Sequence, residues 1–339
     1  VGEARPGRRV AVLSRSWETG DSEAAFVIRG VAGAVSRHCP VDIVAVGHPG
    51  PTLPDGAFDV VRAGQARVGG WPVSKKVAWP VGHPTLTIVE AGDVGALKMA
   101  QRSAPRASTA AVAAASDNLE GAAAVFTVAP GHRVAAVAAG AAEQRVHDVG
   151  LHVPVNRIAA EHRHNGLGFT DYVLVLTDRP DAEPTTAPTA AAAWVAARYP
   201  RQHVVVVESA VASVWQHRSL RGLVAVDTRT DLWRLMAHAR MVVDLKPGRY
   251  VARECVEALR FGTPIIAPAG SVGADLAEGG GGLWYRDPAE LLGCIEWLAD
   301  AEIREALGSQ GRRMADALYG DPEAFVERVG KALAAVDNP

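Results

Sequence analysis

Lysine is nearly missing from this chain: Lys75, Lys76, Lys98, Lys246 and Lys331 are the only ones in 339 residues. With a formal net charge of −2 at pH 7, no sustained basic block is left to neutralise a phosphate backbone, so no nucleic-acid partner is expected. Cysteine is scarce too. Cys39, Cys255 and Cys294 are odd in number and far apart, which fits unpaired thiols in a reducing cytoplasm. No Cys-x-x-Cys pair suggests metal or redox work. Long apolar runs are missing as well. All stop well short of the roughly 18 residues a membrane-spanning helix needs. The basic opening VGEARPGRRV has no signal-type apolar core behind it. A cytoplasmic protein without a transmembrane segment is expected.

What is present is core material. Hydrophobic residues make up 48% and charged residues 21%, and Ala and Val dominate, which suits helices packed on parallel sheets. The length exceeds what one core usually serves, so two domains of about 150 residues are expected. RVAVLS (9–14) reads as a strand. A loop with Gly20 follows, then a helix from Ser22 to about His38, then the strand VDIVAV (41–46). This is the opening of a doubly wound domain. Residues 47–84, rich in Gly and Pro, read only as an irregular segment containing Trp71 and Trp79. Further strands are expected at 85–89, 110–115 and 123–128, with a helix after Pro130 and Gly131 to about Ala142, and residues 145–149 end this half. Asp117 follows its strand at the carboxyl edge; it either orients a ligand or caps a helix. His162 and His164 have no further ligands evident nearby and read as surface histidines.

The second half opens on YVLVLT (172–177), the all-apolar run of a central parallel strand. Strands follow at 204–207 and 223–226, then a helix through Leu235 and Met236 and a strand at 241–243. Lys246, Pro247 and Gly248 turn the chain into a helix over about 251–261, which Gly262 and Pro264 stop before the strand at Ile265 and Ile266. A helix thus begins at the carboxyl edge of a parallel strand, where its dipole and N–H groups favour a phosphate. Glu257, a turn and a half in, has two readings. It accepts hydrogen bonds from ribose hydroxyls, or it pairs with Arg253 or Arg260 at helical spacing. Gly270, Ser271 and Gly273 lie in the loop that follows and either approach a ligand or form a plain turn. After the run Gly279–Gly282 and a strand over 283–285, helices are expected near 288–299, 301–318 and from Pro322 to about Ala335.

Together, ECVEALRFGTPIIAP (254–268) and GGGGLWYRDPAELLGCIEWL (279–298) resemble the donor-binding half of GT-B fold glycosyltransferases, in particular the retaining family-four (glycogen synthase-like) enzymes. The resemblance covers about Asp171 to Leu318 and is architectural before that. It implies an α/β chain of two Rossmann-like doubly wound domains facing a cleft. An acceptor-side domain would span 1–165 and a nucleotide-sugar-binding domain 170–318, with a terminal helix at 322–337 returning to the first. The implied activity is transfer of a sugar from a nucleotide-diphosphate sugar to an unknown acceptor with retention. No metal and no cofactor is implied, and no Asp-x-Asp motif is present.

Carried over residue by residue, the resemblance gives Glu257 the ribose and sets Gly248, Tyr250 and Thr263 beside the donor. Backbone groups of Leu223 to Ala225 would read the base. Arg179 would clamp the diphosphate. The family's clamp lysine is missing after Arg179, and Arg249 stands where the family has a second glutamate, eight positions before Glu257. Removing one such stabilising group costs about 3 kcal/mol of barrier. Either Lys246 or Arg249 takes over, or catalysis is weak or absent. On the acceptor side the first loop offers Ser14 and Gly20, with Asp117 beyond it. The alternative is a non-catalytic GT-B relative that binds nucleotide or a partner protein. An epimerase on the same fold is a further rival; a phosphorylase would need a pyridoxal-phosphate lysine, for which the five lysines offer no evident candidate.

Overall fold

The computed structural model describes residues 10–14, 23–46, 59–63, 67–68, 71–72, 86–91, 107–113, 119–155, 171–176, 203–207, 223–226, 232–245 and 251–337. The chain divides into two units, Val1–His152 with Asp321–Pro339, and Val153–Gly320. Each is built on one parallel sheet.

In the first unit the strands are β1 (Val10–Ser14), β2 (Val41–Val46), β3 (Asp59–Ala63), β6 (Leu86–Ala91), β7 (Ser108–Ala113), β8 (Ala124–Thr127) and β9 (Val146–Asp148). Their order is β3-β2-β1-β6-β7-β8-β9, and every pairing is parallel. Helix α1 (Glu23–Ser36) buries Ala25, Val27, Ile28, Val31, Ala32 and Val35, a stripe of helical period against the sheet. A short helix α2 (His132–Ala138) follows β8. At the far edge, Thr127 Oγ1 donates to Asp148 Oδ1 at 2.6 Å, and Arg133 meets Asp148 Oδ2 at 3.0 Å. Within residues 47–84 the described stretches are strands rather than irregular chain. They supply β3 and a small antiparallel pair, β4 (Arg67–Val68) with β5 (Trp71–Pro72). Only Val60 and Val61 mark β3 in the sequence, too short an apolar run to stand out at a sheet edge.

The second unit has β10 (Tyr172–Leu176), β11 (His203–Val207), β12 (Leu223–Val226), β13 (Ala239–Asp244), β14 (Ile265–Pro268) and β15 (Gly282–Tyr285) in the order β12-β11-β10-β13-β14-β15. All are parallel. Every residue of β10 is buried, because helices cover both faces of such a sheet and leave no polar side. Its described helices are α3 (Leu232–His238), α4 (Arg253–Phe261), α5 (Val272–Leu276), α6 (Pro288–Trp297) and α7 (Ala301–Tyr319). Asp287 caps α6 through Ala289 N and Glu290 N, with Pro288 in the first turn. Asp300 caps α7 in the same way. These are the stop and start signals the sequence carries. Ser271 and Gly273 do not form an open loop. Ser271 caps α5, and Gly273 is buried so tightly that a Cβ there would lie 2.9 Å from Ala267 Cβ.

The chain passes from one unit to the other after His152 and after Gly320. On the second unit's side, Val153 N donates to Tyr319 O. The buried Arg260 reaches Val153 O with one nitrogen and Asp316 Oδ1 at 2.8 Å with another. On the first unit's side, the last helix α8 (Pro322–Asp337) sends Arg328 Nε to Val149 O at 2.7 Å. His38 meets Val326 O at 2.9 Å.

Candidate functional site

A doubly wound sheet binds ligands where its strand order reverses, outside the carboxyl ends of the strands. In the second unit that point lies between β10 and β13, where Leu176 stands opposite Asp244. The two ends are joined by Leu245 N donating to Leu176 O at 3.0 Å. The chain then returns at Val251 and starts α4.

Asp244 is the last residue of β13 and only 3% exposed. Its Oδ2 accepts a hydrogen bond from the Cys255 thiol at 3.2 Å, and its carbonyl accepts one from Tyr285 Oη at 3.4 Å. Burial, and after it the Asp244 and Cys294 charges, push the Tyr285 hydroxyl well above its ordinary range. A strand end, a helix first turn and the edge strand β15 are thereby tied at one residue. Ala252, the residue before α4, has φ 47° and ψ 58°, and as an alanine it offers the helix no side-chain cap of its own. A left-handed alanine costs about 1–2 kcal/mol. The chain enters this helix along a strained path at the switch point.

Glu257 lies one turn further and is 2% exposed. Of its two readings, the structure makes the pairing with Arg253, Nε to Oε1 at 2.8 Å; Arg260 turns away to Val153 and Asp316. Trp233 on α3 adds a second hydrogen bond. Burial pushes the Glu257 carboxyl up to about 7, outweighing the Arg253 charge, and Glu254 pushes the same way. A carboxylate has about four acceptor positions, so these two partners do not exhaust it.

Thr263 is not brought to this place. It follows the end of α4 and precedes β14, at the amino edge of the sheet, where its hydroxyl donates to Met236 O at 2.7 Å. A nine-residue helix spans about 13 Å, so the Gly-Thr-Pro turn serves the core rather than the carboxyl edge. Leu223 and Ala225 lie on β12, the edge strand, with β11 between it and β10. Ser14 ends β1 and is buried, beside β6 at the equivalent reversal in the first unit. Gly20, Asp117, Arg179, Lys246, Gly248, Arg249 and Tyr250 lie outside the described residues. Asp244, Cys255 and Trp233 are the groups that sequence reasoning missed. The signal for the first was a lone carboxylate closing an apolar strand at a carboxyl edge.

No family model matches the chain, and no curated protein matches it. Solved structures do. HepE from Anabaena, in complex with UDP, aligns with TM-score 0.72 at 15% identity over 97% of this chain and 100% of that one. Sucrose-phosphate synthase from Thermosynechococcus elongatus gives 0.68 at 15% identity, over 98% and 99%. WaaG, a glycosyltransferase involved in lipopolysaccharide biosynthesis, gives 0.63 at 13% identity, over 94% and 99%. At such identities the likeness speaks for the fold alone. Two parallel α/β sheets, each reversing its order beside its first strand, and these alignments over nearly the whole chain lead to one conclusion: this protein has the GT-B fold of those glycosyltransferases.

Proposed function

We propose that the protein transfers a glycosyl unit from a nucleotide-diphosphate sugar to an acceptor, with retention and without a bound metal. The observation that carries this reading is the start of α4 beside the β10–β13 reversal, with a buried acid one turn inside it. Support comes from the fold's occupants, since HepE has been solved with UDP and with UDP-glucose. In this reading the diphosphate meets the amino end of α4, and Arg179, Lys246 and Arg249 supply cations as its charge develops. Glu257 holds the ribose, Gly248 and Tyr250 flank the donor, and backbone groups of Leu223 and Ala225 meet the base. Ser14, Gly20 and Asp117 are assigned to the acceptor side. An oxygen of the departing diphosphate helps remove the acceptor's proton.

Calorimetric titration with UDP, GDP, ADP and their glucose conjugates tests binding, and proton NMR of donor hydrolysis tests chemistry. The expected result is saturable binding of one base and release of the sugar first in the donor's own anomeric form. EDTA should leave turnover unchanged. Absence of any binding at millimolar nucleotide would overturn the reading. Two observations favour a non-catalytic binder instead: Arg253 and Trp233 already engage Glu257, and Arg249 replaces an expected glutamate. Binding without turnover across all the donors would decide for it.

A further inference from the structure

On the β15 edge of the second unit, two strands from β13, lies a cavity of about 640 Å³ that the proposed donor site does not use. One face of α6 supplies Glu290, Gly293, Cys294 and Trp297 to it; Glu278 and Trp284 face them from the Gly-rich turn and β15. The α6 residues recur at the spacing of a single helical stripe. The adjacent stripe, Leu291 and Ile295, is buried in the core. Trp297 stays 56% exposed, the one aromatic ring left so open among the described residues.

Three features set this cavity apart from a packing defect. First, Gly293 sits inside a helix with nothing within 4 Å of the place its Cβ would take. Packing does not require a glycine there, and any side chain would project into the open space. Gly282, which also lines the cavity, differs: a Cβ there would lie 1.9 Å from Ile265 O. Second, the charged groups lining the cavity are both carboxylates. Glu290 already holds Arg286 through its backbone N–H at 2.7 Å and its guanidinium at 3.3 Å. Glu278 makes no ion pair among the described residues, and its charge, after burial, helps push the Asp275 carboxyl up. Third, the Arg286 guanidinium rests 4.6 Å from the centre of the Trp284 ring. This corner of the fold therefore already holds a cation by a tryptophan face and a carboxylate together.

We propose that the cavity binds a small organic cation, a quaternary or alkylated ammonium group on an apolar stem. The indole rings of Trp284 and Trp297 would meet the alkylated head, as aromatic faces do with such ions, and Glu278 would supply the opposing charge. A neutral guest of the same shape keeps the apolar contact and loses the electrostatic part, so the ion's charge is the discriminating feature.

Choline is the probe, and its uncharged isostere 3,3-dimethyl-1-butanol is the control. Indole N–H resonances of the full chain are followed by NMR during titration and assigned with Trp284→Phe and Trp297→Phe. Choline should shift both resonances saturably, and the neutral isostere should bind at least about fivefold more weakly. Glu278→Gln, at an exposed position, should weaken choline by about the same factor, and Gly293→Leu should abolish binding with the fold retained by circular dichroism. No saturable shift at these two indoles up to high millimolar choline would overturn the proposal. Equal affinity for the isostere would also overturn it, as would undiminished binding in Glu278→Gln. Stronger binding of glucose or maltose at the same indoles would reassign the cavity to carbohydrate and sink the cation.

Discussion

At the end of β1 the chain leaves a buried serine hydroxyl, Ser14; at the end of β13 it leaves a buried carboxylate, Asp244. Both residues close a strand at the place where a parallel sheet reverses its order. Around Asp244 the second unit gathers a thiol, a left-handed alanine, a helix start and an ion-paired glutamate. The first unit's described residues show no comparable set. Topology supplies the same crevice twice, and among the described residues a buried carboxylate stands inside the second. Costly groups that persist are where chemistry is to be sought.

The largest effect is expected where the two units hold the segments that run between them. Arg260 is buried and binds Asp316 and Val153 O. Arg260→Ala would strand a carboxylate and a carbonyl, at a cost of about 3–5 kcal/mol. Arg328 holds the other side with a hydrogen bond to Val149 O, and Arg328→Ala should cost about 1 kcal/mol. Urea melts of the two variants compare them directly. Equal losses would mean that burial does not separate the two anchors.

Next comes the contrast at the strand ends. Asp244→Ala leaves the Cys255 thiol without its acceptor and loosens the first turn of α4, costing about 2–3 kcal/mol of stability. If the donor reading holds, nucleotide affinity should fall by about tenfold, or roughly 1.4 kcal/mol. Ser14→Ala should cost about 1 kcal/mol and leave nucleotide affinity alone. A matching loss of affinity in Ser14→Ala would erase the distinction between the two reversals.

Much of this was legible in the residues. YVLVLT, VDIVAV and the Val-rich runs announce strands buried on both faces, and Asp287-Pro288 and Asp300 announce helix starts. The GT-B reading followed from two motifs in the second half, and the fold agrees with it. β3 was not legible, since an edge strand with a short apolar run lacks the pattern a buried strand imposes. Thr263 misled for a related reason. A Gly-Thr-Pro turn in sequence does not say which edge of the sheet it faces, and only the direction of α4 sends it to the amino edge. Helical spacing left Glu257 two possible arginine partners and could not choose between Arg253 and Arg260. Tertiary partners, Asp316 and Val153, made that choice.

Glu257 also gives the second unit a pH signature of its own. Its carboxyl rises from 4.5 to about 7 on folding, so the folded state binds the proton more tightly. Its contribution is fully present below about pH 4.5 and is lost as pH rises through 7, each unit of difference being worth about 1.4 kcal/mol. Glu257→Gln cannot ionise, and its stability should fall less than the wild type's between pH 5 and 8. Guanidinium melts at intervals of half a pH unit would reveal it. Parallel profiles for the two proteins would show that Arg253 holds the carboxylate charged throughout.

The smallest effect runs in the stabilising direction and uses one glycine from each unit. Gly33 in α1 and Gly293 in α6 are both helix-interior residues with nothing within 4 Å of a Cβ. Alanine at either site should therefore gain most of the roughly 1 kcal/mol that separates the two residues in a helix. Both gains should appear as a rise in melting temperature. The sites part company over what the empty space is for. A methyl group at Gly33 should change stability and nothing else. One at Gly293 enters the cavity beside Trp297 and should weaken choline while it stabilises the fold. A gain in stability at Gly293 with choline affinity unaltered would leave that glycine, like Gly33, without a reason to be one.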